Sequence, residues 1–278
     1  MLGVVIVNYL QDSLTARFVR EELSKIGIPH VAVIVNNGAS GESSSALETE
    51  TGVKVIAAPN GGFAKGNNIG ARYLRENCDP EYILFVNNDV TFGEGDVVGE
   101  LTAKLAATPS AALIGPEVVG LDGRRQGPEP YMGPWKKYVL MYLSTPFLSK
   151  ARKRILFFLD YPEKAQEGPH FKLTGCFLLV RSSDFYRVGM FDENTFLYAE
   201  ENILSDRFAS TGKCFYYYPS VRVVHEHGKT TSKAFSRRKR AMLQFDSMAY
   251  YYSAYRGYSR LTLGVIRIIF KCILFLKG

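Results

Sequence analysis

Tyr82-Ile83-Leu84-Phe85-Val86-Asn87-Asn88-Asp89-Val90 is the stretch that decides the fold. Its first five residues carry no charge and are rich in aromatic and β-branched types, which predicts a buried strand running directly into the polar cluster Asn87-Asn88-Asp89. In open α/β sheets ligands sit beyond the carboxyl ends of the strands, so an aspartate delivered there is placed to touch a substrate or a metal ion. The plainer reading of the same residues is an Asx turn that ends the strand.

Outward from this stretch the first half of the chain alternates regularly. Residues 3–8 read as a buried strand, 13–26 as a helix capped by Ser13, 31–35 as a second strand ending in Asn36-Asn37-Gly38, 53–57 as a third, and 63–77 as a helix leading into the strand at 82–86. Near-continuous apolar strands alternating with helices predict an α/β fold with a mostly parallel, doubly wound sheet. Each strand ends in asparagine or a turn cluster, so polar groups collect at one edge. The richest cluster is Asn60-Gly61-Gly62-Phe63-Ala64-Lys65-Gly66-Asn67-Asn68-Ile69-Gly70. Its glycines admit a close ligand, the helix start offers free N–H groups, and Lys65 adds a charge, a combination suited to a diphosphate or simply to a turn and helix start.

Composition bounds the function. With 278 residues, 46% hydrophobic and 22% charged, the chain is globular and long enough for a sizeable core. A net charge of +7 implies anionic partners. Cys78, Cys176, Cys214 and Cys272 form no Cys-x-x-Cys pair, which excludes a typical zinc site or disulfide framework and fits a reducing cytoplasm. The first residues read as a strand, without the basic flank and cleavage site of a signal peptide.

Residues 111–119 predict another strand, and 121–169 then lose any period, as binding loops do. Within them Trp135, Lys136, Lys137, Tyr138 and the basic run Lys150, Arg152, Lys153, Arg154 suit a sugar or an anion, or a solvated surface. Order returns with a strand at 171–180, a turn at 188–193, and a helix opened by Phe196-Leu197-Tyr198-Ala199-Glu200-Glu201 and running to about 211. Acidic residues in a first helical turn are favoured by the dipole, which is a purely structural reason for Glu200 and Glu201.

Taken together and in order, these pieces resemble the family 2 glycosyltransferases, with the glycosyltransferase-A fold, and most closely the bacterial branch of rhamnosyl- and galactosyl-transferases of surface polysaccharide assembly. The resemblance runs from Val4 to about Ser232 through Val7-Asn8-Tyr9, Val35-Asn36-Asn37-Gly38, Asn60 to Gly70, Val86-Asn87-Asn88-Asp89-Val90, Leu173-Thr174-Gly175, Gly189-x-Phe191-Asp192-Glu193, Tyr198-x-Glu200-Glu201 and His225-x-x-Gly228. It implies a transferase domain over 1–232, with 121–170 as a variable acceptor-side region, and a C-terminal helical extension over 233–278.

The resemblance also implies roles. Val7, Asn8, Tyr9, Asn36 and Asn37 would bind base and ribose, with Asn36 on the uracil or thymine edge. Asn60, Gly62, Phe63, Lys65, Asn67, Asn68, Asn87, Asn88, Gly175 and Asp192 would complete a site for a UDP- or dTDP-sugar. Asp89, with His225, would hold Mg2+ or Mn2+ against the diphosphate, and Glu201 or Glu200 would take the proton of an acceptor hydroxyl on a glycan or polyprenyl-linked acceptor. One essential carboxylate implies inversion, unlike the paired carboxylates of a hydrolase. Asn87 stands where the motif's first aspartate falls, so tight metal binding is expected only with the diphosphate present; Asn36 and Glu201 also replace aspartates, and Ile203 an acidic residue. Alternation along a strand would put His225 and His227 on one face.

From Arg256 onward, Arg260, Arg267 and Lys271 repeat at helical spacing on an otherwise apolar segment. Residues 261–276 span roughly 24 Å as a helix, short of a bilayer core of about 30 Å, and are expected to lie in an anionic membrane surface, or else on the sheet or in a homo-oligomer. Tyr250, Tyr251, Tyr252, Tyr255 and Tyr258 would form an interfacial belt, with Arg237 to Arg240 on headgroups. The expected location is thus cytoplasmic, peripheral on the inner face of the cell membrane. Two rival readings are a catalytically inactive nucleotide-sugar binder and a nucleic-acid binder; the second lacks any recognised motif, so no nucleic acid is expected as partner.

Overall fold

The computed structural model describes residues 1–144, 149, 165–226 and 236–276. His227, Gly228, Ser232 and the basic run Lys150 to Arg154 lie outside the described residues.

The predicted parallel core is present. Strands β1 (Leu2–Asn8), β2 (His30–Asn37), β3 (Lys54–Ala58) and β4 (Tyr82–Val86) alternate with helices α1 (Asp12–Glu21), α2 (Gly41–Thr51) and α3 (Gly62–Asn77). All neighbouring pairs among the four strands are parallel. Register carries the functional consequence: Asn8 pairs with Asn36, Asn37 with Ala58, and Ile6 with Val86, so the polar strand ends line up at one edge. All five residues of β4 are buried. Alternation sends Leu84 and Val86 to one face with Phe18 and Leu101, and Ile83 and Phe85 to the other with Leu74 and Phe191.

The second half closes the sheet with mixed directions. It adds β5 (Val90–Phe92), α4 (Val97–Ala106), β6 (Ala111–Val119), a π-helical turn (Lys136–Leu140) continued by α5 (Met141–Leu143), β7 (Gly168–His170), β8 (Phe177–Arg181), α6 (Ser182–Arg187), α7 (Glu200–Ala209), β9 (Cys214–His225), α8 (Arg237–Arg256) and α9 (Arg260–Leu276). The sheet order is β3-β2-β1-β4-β8-β6-β9-β5, with β7 paired to β9. Two antiparallel pairings position the site. Val86 faces Phe177, so the 174–176 loop meets the end of β4, where Asn87 N–H donates to the Cys176 carbonyl at 2.9 Å. Val90 faces His225, and Glu226 N–H donates to the Asp89 carbonyl at 3.0 Å.

Two expectations change. The strand expected over 171–180 begins only at Phe177, leaving Leu173-Thr174-Gly175 as a loop. The helix expected from Phe196 begins at Glu200, because Tyr198 and Ala199 hold left-handed φ values of 73° and 72° that no helix continues through.

The C-terminal helices also differ from the expected interfacial belt. Tyr251 and Tyr252 are fully buried in a third cluster with Tyr138, Phe245, Ile266 and Phe270. Tyr250 and Tyr255 hydroxyls donate to Asp192 at 2.9 and 2.6 Å, and Tyr251 to Asp206 at 2.9 Å. These tyrosines fasten α8 to the body of the protein. Among the described residues no helix is long and apolar enough to cross a membrane.

Candidate active site

At the strand-end edge, β4 and β9 deliver Asp89 and His225 side by side, with His225 Nε2 3.3 Å from Asp89 Oδ1. Gln126 sets the ring: its amide Nε2 donates to the His225 carbonyl at 3.1 Å, which turns its Oε1 toward Nδ1 at 2.7 Å. An amide oxygen only accepts, so Nδ1 carries the proton and Nε2 faces the carboxylate. Gln126 is held in turn by Thr174, whose hydroxyl donates to its carbonyl. Asp89 Oδ1 is buried with no hydrogen-bond donor among the described residues. A carboxylate oxygen and an imidazole nitrogen directed at one another suit a cation between or beside them. Among the described residues no group of three or more His, Cys, Asp or Glu side chains is poised to hold a metal, so the pair would need further oxygens from a ligand.

Across the 174–176 loop stand the two glutamates of the first turn of α7. Gly175 leaves room for this approach: a Cβ there would lie 2.3 Å from Glu201 Oε1 and would push that carboxylate aside. A second glycine holds the preceding segment in place: a Cβ on Gly62, whose φ is 85°, would lie 1.9 Å from the Phe196 carbonyl oxygen that accepts from Phe63 N–H at 3.0 Å. Glu200 is buried, and its Oε1 has no partner among the described residues. Burial first, and the charge of Glu201 second, push its carboxyl up to about 8. Helix-dipole stabilisation of about 1 kcal/mol is too small to offset that desolvation, so the dipole alone does not explain the acidic pair.

A stability prediction follows from the sign of this shift. Folded Glu200 keeps its proton up to about pH 8 whereas the unfolded residue loses it near 4.5, so the associated stability is full below 4.5 and is lost as pH rises to 8. Glu200→Gln, shaped like the protonated acid, is expected to equal wild type near pH 4.5. It should gain progressively to about 2–4 kcal/mol by pH 8 and stay level above, as measured by urea unfolding across pH.

These groups border a cavity of about 490 Å³ whose walls include Asn87, Gly175, Glu200, Glu201 and His225. A further stretch of its wall comes from Gln126, Glu129 and Lys137, in the region without sequence period, and from Lys172 just beyond it. Lys172 pairs with Glu129 at 3.2 Å, and burial together with Lys172 lowers the Lys137 ammonium to about 8. Of this wall only Lys137 was flagged in the sequence as a sugar or anion contact. Gln126 and Glu129 were missed because their partners lie 99 and 43 residues away, with no local pattern to announce them.

The expected nucleotide residues divide into two groups. Asn8 and Asn36 are fully buried: Asn8 donates to Asn36 at 2.9 Å and to Asp12 at 2.6 Å, Thr15 donates to Asn8 at 2.8 Å, and Asn36 donates to Ser44 at 3.2 Å. Asn88 joins the network through Thr15 at 2.7 Å. These amides tie the ends of β1 and β2 to the segment that follows β4. Asp192 is likewise enclosed by Tyr250, Tyr255, Asn194 and Arg207. Burial alone would raise its carboxyl, but hydrogen bonds from Tyr255, Asn194 and Tyr250 outweigh it and hold it below the usual range.

Asn68 clamps the 191–193 turn, donating to the Phe191 carbonyl and to Glu193 and accepting from Phe191 N–H. Asn67 donates to the Phe63 carbonyl. Asn37 accepts from Gly61 N–H at 3.1 Å and donates to the Gly62 carbonyl at 3.2 Å, shaping the glycine turn, while Asn60 accepts from Gly62 N–H. What remains accessible along the edge is Val7, Tyr9, Asn60, Phe63, Lys65 and Asn87. The Tyr9 ring lies over Gly38, 3.3 Å from where a Cβ would be, and leaves a half-exposed aromatic at the end of β1.

Comparison with known proteins agrees with this fold. No family model matches the chain. An N-acetylglucosaminyl-diphospho-decaprenol L-rhamnosyltransferase of Mycobacterium tuberculosis is 27% identical over 255 residues, covering 84% of this chain and 78% of that protein. The rhamnosyltransferase WbbL of Escherichia coli is 23% identical over 231 residues, covering 81% and 83%. Among solved structures, GalNAc-T7 with UDP, GalNAc and Mn2+ superposes with a TM-score of 0.55 at 15% identity, over 81% of this chain and 43% of the longer one, so the chain spans less than half of that protein. The chain is therefore similar in sequence to rhamnosyltransferases and has the glycosyltransferase-A fold that the motif order implied.

Proposed function

We propose that this chain is an inverting glycosyltransferase that moves a hexose or deoxyhexose from a UDP- or dTDP-sugar to a glycan or polyprenyl-linked acceptor in cell-surface polysaccharide assembly. The observation that carries the reading is the meeting of His225, which Asp89 faces at 3.3 Å, and the Glu200–Glu201 pair around one cavity beyond the parallel strand ends. The relative from Mycobacterium acts, by its name, on N-acetylglucosaminyl-diphospho-decaprenol, which supports the lipid-linked alternative expected from the sequence. The activity belongs at the cytoplasmic face of the cell membrane, where such acceptors are presented.

The accessible edge holds the donor. Tyr9 offers a ring face for the base, and the glycine turn at 60–62 with Lys65 lies where the diphosphate passes. Asp89 and His225 fit a divalent ion, Mg2+ or Mn2+, when the diphosphate supplies the missing oxygens; once bound, such an ion neutralises charge on the leaving nucleoside diphosphate. Glu201 is the base. It accepts the acceptor hydroxyl's proton as that oxygen bonds to the anomeric carbon, while the bond from that carbon to the diphosphate oxygen breaks on the opposite side. Glu200 holds its own proton at neutral pH and so does not compete for the acceptor's. Lys137 and Lys172, which also line the cavity, would meet an anionic group of the acceptor.

Incubation with a panel of UDP- and dTDP-hexoses and deoxyhexoses, a polyprenyl-diphospho-sugar acceptor and Mn2+ tests the reading. Mass spectrometry is expected to show one added sugar with one donor, in the inverted anomeric configuration by NMR. No added sugar with any donor, or retention at the anomeric carbon, contradicts it.

A further inference from the structure

Helix α9 has three distinct faces. At about 100° per residue, the buried Leu263, Ile266, Phe270 and Ile273 fall within one arc of about 80° that packs on α8 and the π-helical turn. Leu261, Val265, Ile268, Phe275 and Leu276 fall within an arc of about 100° on the far side. Their exposure is large, 80% for Leu261, 65% for Ile268, 75% for Phe275 and 82% for Leu276, although the Arg238 guanidinium lies 5.9 Å from the Phe275 ring centre. Between the two apolar arcs lie Arg260, Arg267 and Lys271, all on one flank. The helix contains no acidic residue.

A second element, packed on the inward face of α9, also exposes apolar side chains. The 135–143 segment packs Tyr138 and Tyr142 on Phe270 of α9 and leaves Trp135, Leu140 and Leu143 exposed. The same segment carries Lys137 into the cavity wall. One short stretch thus links the acceptor side of the cavity to an exposed apolar surface.

We propose that the outward face of α9, with Trp135, Leu140 and Leu143, is a docking surface for an anionic lipid bilayer, on which the protein lies with α9 in the interfacial plane. A soluble protein rarely exposes so many large apolar side chains without a partner for them. The charge pattern chooses the partner: Arg267 is paired with Asp246 of α8 at 2.9 Å, but Arg260 and Lys271 border the apolar stripe on a helix without acids, which matches anionic headgroups above acyl chains, the pattern of helices that lie in the membrane surface. The net charge of +7 acts in the same direction. The surface differs from the tyrosine belt expected from sequence, since those tyrosines pack inward. The inference rests on the proposed reading only for its purpose, the capture of a lipid-linked acceptor; the docking itself requires no catalysis.

Flotation of the full chain tests it, using vesicles of phosphatidylcholine alone or mixed with phosphatidylglycerol. Binding to the anionic vesicles is expected to be at least about tenfold stronger than to neutral ones and to weaken with salt. Ile268→Glu combined with Phe275→Glu is expected to lower that binding at least about tenfold with an unchanged melting temperature, since both side chains stand in solvent. A second variant, Arg260→Glu with Lys271→Glu, changes only the flank and is expected to abolish the preference for the anionic vesicles. The proposal is overturned if wild type does not float, if both variants float as wild type does, or if light scattering shows a dimer that the Ile268→Glu, Phe275→Glu variant splits while vesicles do not bind. Transfer to a water-soluble acceptor analogue, assayed in parallel, separates the two claims: flotation without transfer overturns the catalytic reading alone, and transfer without flotation overturns the docking alone.

Discussion

Glu201→Gln is expected to lower the transfer rate at least about 100-fold while leaving donor affinity unchanged, the usual range for loss of a general base. The amide keeps the shape that Gly175 accommodates at the 174–176 loop but cannot take a proton. Glu200→Gln provides the contrast, since an amide in place of an acid that is already protonated changes little. Burial and the neighbouring charge hold the Glu200 proton to about pH 8, so this variant is expected to lose less than about tenfold at pH 7. Steady-state kinetics on both, with donor binding measured by calorimetry, tests the assignment. Equal losses in the two variants, or a larger loss for Glu200→Gln, would transfer the role to Glu200.

The second large effect concerns the cation. Asp89 and His225 are too few to hold a divalent ion tightly by themselves, and a diphosphate would complete the set. Wild type is therefore expected to bind Mn2+ weakly alone, and to bind a nucleoside diphosphate at least about tenfold more tightly with Mn2+ than with a chelator, a difference of about 1.4 kcal/mol or more. In Asp89→Asn the gain from Mn2+ should vanish. Because Asp89 Oδ1 has no donor among the described residues, this variant is expected to melt within a few degrees of wild type. Calorimetric titration of uridine or thymidine diphosphate with and without Mn2+ reads the effect. An undiminished response to Mn2+ in Asp89→Asn would remove the carboxylate from the metal site.

Much of the frame was legible because it rests on local patterns. β4 announces itself by five buried residues, and the polar residues after each early strand mark the edge where the site forms. α2 went unread, since its Ser- and Glu-rich sequence has only Ser44 and Leu47 buried and almost no amphipathic signal. β9 was visible only at its end, because its alternation is broken by Pro219 and by a register shift against β6.

The site was legible in position more than in role. Asparagines at strand ends look alike in sequence, yet Asn8 bonds Asn36 and Asn88 joins them through Thr15, while Asn87 lines the cavity. Which way an amide turns depends on strand register and on Thr15, 73 residues from Asn88, and neither is encoded nearby. The start of α7 is a similar case. Tyr198 and Ala199 are ordinary residues that tertiary packing forces into left-handed backbone, and that turn directs Glu200 and Glu201 toward the cavity. The C-terminal tyrosines reversed their expected role because Asp192 and Asp206, far off in sequence, accept their hydroxyls.

The most direct test of the central claim is the position of the donor's diphosphate in a crystal of the protein grown with uridine or thymidine diphosphate and Mn2+. The ion is expected to be ligated by Asp89 and by diphosphate oxygens, with the terminal phosphate opening onto the cavity that Glu201 borders. A diphosphate and ion bound away from Asp89, with that cavity left out of contact, would contradict it.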